Sequence, residues 1–239
     1  MFSGVLWDGL LNWGEEIAAV PTWFCRWSWI WTACIAGLLV GQAGAVEEQA
    51  AYEKVIAGRA DKILATLAID ADATREAVRT ALLDFSRIVN AWHEANGAKR
   101  KALGREAGEA AKESLATLEA ELAGIRAAFT DRLAGVLPAA DVAKVKDGLT
   151  YGVVQVTDRA YHELLPELTA EQRERIHAWL VEARDLAISE GSSEAKHGVF
   201  GKYKGRINNY LSQAGYDLKQ AERDLAARRK AASSEKVSK

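Results

Sequence analysis

The chain has 239 residues, with 31 Lys and Arg against 33 Asp and Glu, two cysteines and eight tryptophans. The near-balance of charge argues against nucleic acid as a partner, since a dedicated binder carries a clear basic excess. The length is enough for one domain to build its own apolar core.

Residues 1–25 carry Asp8, Glu15 and Glu16 and no base. That is the wrong sign for the leading region of an export signal, so translation is expected to begin closer to Arg26. From Arg26 the chain reads RWSWIWTACIAGLLVGQAGA: a cation, an uncharged apolar run and small residues at the end, the layout of a secretory signal peptide. The expected product is secreted or periplasmic, cut after Ala45. Cys25, Cys34 and six of the eight tryptophans lie upstream of that cut, so the mature chain has neither disulfide nor thiolate. Trp27–Val46 is also long enough to span a bilayer if it stays uncleaved, and only then is a membrane a partner. Residues 1–45 are therefore read as extension and signal, 46–218 as one domain and 219–239 as a polar tail, expected to be disordered.

The domain reads as all-α, a bundle of about six helices. The first is expected over Glu47–Leu67 and the second over Ala73–Glu94, where Val78, Leu82, Phe85, Val89 and Trp92 form a stripe. The third carries Leu115, Leu118, Leu122, Ile125, Phe129 and Leu133. Such stripes bury on one side and stay wet on the other. Pro138 opens a short helix that Gly148 and Gly152 end. Val153-Val154-Gln155-Val156 is rich in β-branched residues and reads as extended. Thr169, with Gln172 three residues on, has the spacing of a capping box. The helix that follows breaks at Gly191-Ser192-Ser193, and a last one covers Val199–Gln213.

Most catalytic signatures are missing. His162-Glu163-Leu164-Leu165-Pro166 begins like a helical zinc-protease motif but has Pro where the second His belongs. His93, His162, His177 and His197 have no ligand spacing among them, so no metal site is expected. Gly201-Lys202 is followed by Tyr203, not Ser or Thr, and is no phosphate cradle. Gly191-Ser192-Ser193 is no nucleophile elbow. No cofactor and no catalytic residue is assigned. Distant carboxylates can still converge for glycoside hydrolysis, and Asp147, beside Gly148 and Tyr151, is the first acid to test; its other reading is an acid in a helix-end turn.

Three stretches stand out: Arg59-Ala60-Asp61-Lys62-Ile63, the run Lys146-Asp147-Gly148-Leu149-Thr150-Tyr151-Gly152-Val153, and the block from Gly191 through Lys196-His197-Gly198 and Lys202-Tyr203-Lys204-Gly205-Arg206-Ile207-Asn208-Asn209-Tyr210 to Leu218. On these the chain resembles an uncharacterised bacterial secreted family that carries the label of a sugar-binding domain. The resemblance implies export and a carbohydrate ligand over Tyr52–Leu218.

In the last block Lys202, Arg206 and Asn209 fall on one helical face, and Tyr203, Ile207 and Tyr210 on another that reads as core. The polar face, with Lys196, His197 and Lys204 nearby, offers directed hydrogen bonds to hydroxyl-rich or anionic ligands; its other reading is internal pairing with acid-rich helices. Gly198, Gly201 and Gly205 read as points of close helix approach, or as room for a ligand. Candidate ligand-binding residues are Asp147, Tyr151, Lys196, His197, Lys202, Tyr203, Lys204, Arg206, Asn208 and Asn209. The expected function is an exported, non-catalytic, carbohydrate-binding domain. A periplasmic chaperone is the alternative, since Leu168-Thr169-Ala170-Glu171-Gln172 is similar to the LTxxQ signature of small helical chaperones. A polysaccharide-acting enzyme is a third. The oligomeric state is not readable from the sequence.

Overall fold

The structure, a computed structural model, describes residues 36–237, with side chains described over 47–231. The leader residues 1–35, including Arg26, Cys25 and Cys34, lie outside the described residues; the expected cut after Ala45 falls in the backbone of the first helix. The chain divides into two units, Met1–Glu47 and Glu48–Lys239, and the side-chain packing and sites described below lie in the second.

The described residues form eight helices and no strand: α1 (Ala36–Leu64), α2 (Asp72–Leu103), α3 (Glu109–Ala134), α4 (Ala139–Leu149), α5 (Val153–Leu164), α6 (Ala170–Ala187), α7 (Ser193–Gln213) and α8 (Leu218–Val237). None of them is long and apolar enough to cross a membrane. The expected α2 stripe is buried throughout, and Phe85 stacks on Phe129 of α3 with ring centroids 4.1 Å apart. This pair belongs to a core built from α1 to α4, with Ile63, Leu82, Leu133, Val145 and Leu149. A second core joins α5 to α8 through Tyr161, Ile176, Leu180, Phe200, Ile207 and Leu211.

The two helices beyond the expected number are α5 and α8. The run Val153-Val154-Gln155-Val156 is not extended. Gly152 takes left-handed backbone (φ 67°) and restarts the chain, and Val154, Thr157 and Tyr161 then share one buried face. A Val in a helix costs up to about 0.7 kcal/mol relative to Ala, whereas burying its side chain stabilises by roughly 1.5–3 kcal/mol, so packing decides. The polar stretch from 219, expected to lack order, continues α8. Ala221 packs on the second core, Arg228 Nη2 donates to the Glu163 carbonyl at 2.8 Å, and Arg229 pairs with the Glu163 carboxylate at 2.8 Å.

The capping box is present. Thr169 Oγ1 accepts from the Gln172 amide at 3.2 Å and Gln172 Oε1 accepts from the Thr169 amide at 2.9 Å. Gln172 Oε1 also accepts from Tyr216 Oη, and Leu168 is buried. These contacts account for Leu168, Thr169 and Gln172 within the fold.

Candidate functional site

The site begins with the end of α4. Gly148 faces α1 so closely that a Cβ there would lie 2.6 Å from Ile63 Cγ1. Past Leu149 the chain doubles back: the Gly152 amide donates to the Asp147 carbonyl at 2.8 Å, and Thr150 Oγ1 donates to the Lys146 carbonyl at 3.0 Å. This turn forces Tyr151 into the left-handed region at φ 59°, the one non-glycine residue there among the described residues. The conformation costs on the order of 1–2 kcal/mol. The tyrosine ring projects from the turn and stays 45% exposed.

Two other elements close on that ring. From α1, the Arg59 guanidinium sits 5.7 Å from the ring centroid, and its Nη2 lies 3.5 Å from Tyr151 Oη. From α7, the His197 ring stacks at 5.9 Å with an interplanar angle of 9°, and Lys196 Nζ lies 6.0 Å from the centroid. His197 is steadied by its Nδ1, 2.8 Å from the Ser193 carbonyl. The start of α7 is set by Ser192, whose Oγ accepts from the Ala195 amide at 3.1 Å. Gly191 lets that start approach α2, since a Cβ there would lie 2.8 Å from the His93 ring.

Lys196 is only 6% exposed, and its Nζ donates to the Leu149 carbonyl at 2.9 Å. Burial, and then the charge of Arg59, push its ammonium down to about 8. Among the described residues no carboxylate pairs with it. The cleft beside Lys196 is a cavity of about 170 Å³, lined among others by Tyr52, Arg59, Asn90, Tyr151, Glu190 and Ser192. Glu190 is committed elsewhere: Arg100 Nη1 and Nη2 donate to its two oxygens, both at 2.9 Å. Burial raises the Glu190 carboxyl, but Arg100 outweighs it and holds the group below the usual carboxylate range.

Asp147 is not part of this cleft. Its Oδ1 accepts from Arg184 Nη1 at 3.0 Å, Gln155 donates to its Oδ2, and both partners of the Arg184 pair are largely buried. It stands in a helix-end turn and ties α4 to α6.

Lys202, Arg206 and Asn209 lie on a separate open groove between α6 and α7, with Arg175, Trp179 and Tyr210. There the Arg206 guanidinium covers the Trp179 ring at 4.5 Å, and Arg175 lies 5.4 Å from the Tyr210 centroid. Asn208 is turned inward, where its Oδ1 accepts from the buried Tyr161 hydroxyl at 2.8 Å. Tyr203 packs against the second core, and burial followed by a hydrogen bond to Glu182 pushes its hydroxyl up to about 12. Lys204 is half-buried, and desolvation lowers its ammonium. Gly198, Gly201 and Gly205 do not serve close helix approach, because a Cβ at any of them would meet nothing within 4 Å.

The structure thus divides the ten candidates. Tyr151 and Lys196 line one cleft, and His197 is exposed and stacks on the Tyr151 ring; Lys202, Arg206 and Asn209 line another surface; the remaining four make contacts within the fold. Arg59 lies in one of the three distinctive stretches, but its partner Tyr151 is 92 residues away, beyond what helical spacing encodes. Arg175 and Trp179, from α6, line the groove beside Lys202, Arg206 and Asn209. Among the described residues no set of three His, Cys, Asp or Glu could hold a metal ion.

Residues 53–231 match the model of a family described as "Protein of unknown function (DUF3826)". No curated protein matches the chain.

Proposed function

We propose that this chain, which belongs to the DUF3826 family, is an exported, non-catalytic domain that binds carbohydrate in the cleft around Tyr151. One observation carries the reading: three stretches far apart in sequence bring Arg59, Tyr151, Lys196 and His197 around a single aromatic ring held on strained backbone. Strain of this kind persists where the surrounding structure over-determines it, and it clusters at ligand sites. A partly exposed tyrosine ring offers an apolar platform for the C–H face of a sugar. Arg59, Asn90 and Ser192 line the same cleft and are of the donor and acceptor types that hydroxyl groups require.

The test is a titration of the folded domain with a panel of mono- and oligosaccharides, followed by NMR. A bound glycan should shift resonances at the cleft, and Tyr151→Ala should weaken binding at least tenfold. Absence of binding by any sugar at millimolar concentration would remove the proposal.

A chaperone-like role draws support from one feature, the groove between α2 and α3 where Ile88, 51% exposed, stands beside Trp92, Ile125 and Phe129. Suppression of aggregation of an unfolded client, lost in Ile88→Asp, would favour that role over sugar binding.

A further inference from the structure

The charges around the cleft do not balance. Arg59 and Lys196 bring two cations to it, and the one carboxylate on its wall, Glu190, is held through both oxygens by Arg100. The position of Lys196 makes the imbalance costly. It lies in the first turn of α7, where the helix dipole disfavours a cation. It is also almost fully buried, and a buried charge without a counter-charge is expensive. The Leu149 carbonyl accepts one of its three hydrogens but neutralises nothing. Tyr52 Oη donates to the Ser86 carbonyl at 2.9 Å and, like the other neutral groups of the wall, brings no counter-charge.

The geometry points to an acidic sugar as the ligand: a single hexuronate unit whose carboxylate sits between Lys196 Nζ and the Arg59 guanidinium, with its ring against Tyr151. The inference rests on the carbohydrate reading of the same cleft and narrows it to one class. A carboxylate supplies both the charge and the acceptors that Lys196 and Arg59 lack, and charge-assisted bonds to a carboxylate are the strong ones. The cavity of about 170 Å³ is well below the roughly 300–1,000 Å³ of sites for drug-sized ligands. That volume suits one sugar unit.

Calorimetric titration of the folded domain at pH 7 with D-glucuronate, D-galacturonate, D-glucose, D-galactose and acetate tests this. At least one uronate should bind ten times or more tightly than its neutral counterpart and than acetate. Arg59→Gln should remove most of that preference, and Lys196→Met should do the same if it folds. At pH 8.5 binding should also take up protons, read from titrations in buffers of different ionisation enthalpy, as the anion restores the charge on Lys196. Equal affinity for neutral and acidic sugars would overturn the inference and leave carbohydrate binding intact. Acetate binding as tightly as the uronates would overturn it in favour of a bare anion hole. Absence of all binding would remove both readings.

Discussion

Lys196 Nζ donates to the Leu149 carbonyl at 2.9 Å and so fastens the first turn of α7 to the last turn of α4. Tyr151 lies two residues beyond that carbonyl, so the same bond that anchors the helix end also sets where the strained tyrosine stands.

The strain at Tyr151 makes a substitution pair informative. Glycine adopts φ 59° without penalty, while alanine keeps it. Tyr151→Gly should therefore be more stable than Tyr151→Ala by about 1 kcal/mol, measured by urea denaturation. Both should lose the sugar equally, because both lack the ring. Equal stability of the two would show that the turn relaxes when the ring is removed.

Lys196 predicts a particular pH dependence. Its ammonium titrates at about 8 in the folded chain and near 10.4 when unfolded. Between these values the unfolded chain holds more protons, so the Lys196 contribution to stability rises with pH through that window. Below about pH 8 its burial penalty applies in full. Relative to Lys196→Met, the wild type should gain on the order of 2–3 kcal/mol between pH 7 and pH 10.5, measured by denaturant unfolding across that range. A flat difference would contradict the assignment.

Asp147 is expected to be structural. Asp147→Asn leaves Arg184 buried with only the partly exposed Asp185 as an ionic partner, and should cost about 2–4 kcal/mol. Ligand affinity of the folded fraction should stay within twofold of wild type. A large affinity loss at unchanged stability would return Asp147 to the cleft.

The glycines should separate by sign. Gly148→Ala places a Cβ against Ile63 and should destabilise by about 1–3 kcal/mol. Gly198→Ala and Gly201→Ala meet open space on α7 and should each stabilise by roughly 0.5–1 kcal/mol. Thermal melts of the three variants read the contrast directly.

Arg206→Ala tests which surface binds. The side chain is exposed and its ion pair with Glu182 is long, at 3.5 Å, so stability should change by less than about 1 kcal/mol. With the ligand in the Tyr151 cleft, affinity should not change; loss of binding on titration would move the site to the α6–α7 groove.

Helical faces and caps are legible from the sequence where their determinants lie three or four residues apart. The α2 stripe buries because a spacing of three and four residues defines one helical face whatever that face meets. The Thr169 cap formed because its partners are three residues apart. Val153–Val156 and the tail beyond 219 were not legible, because tertiary contacts outweigh modest local preferences there. In the terminal block, periodicity placed Lys202, Arg206 and Asn209 on one face but could not say what that face looks onto.

By itself the sequence determined an all-helical domain, its main apolar faces, and the three stretches that carry the unusual residues. Only the tertiary structure decided that Arg59, Tyr151 and Lys196 share one cleft, and that Asp147 is taken by Arg184. Those choices depend on groups 37 or more residues apart. Backbone periodicity constrains neighbours three or four positions away; which distant cation finds a carboxylate, and which is left with a carbonyl alone, is settled by how the helices pack.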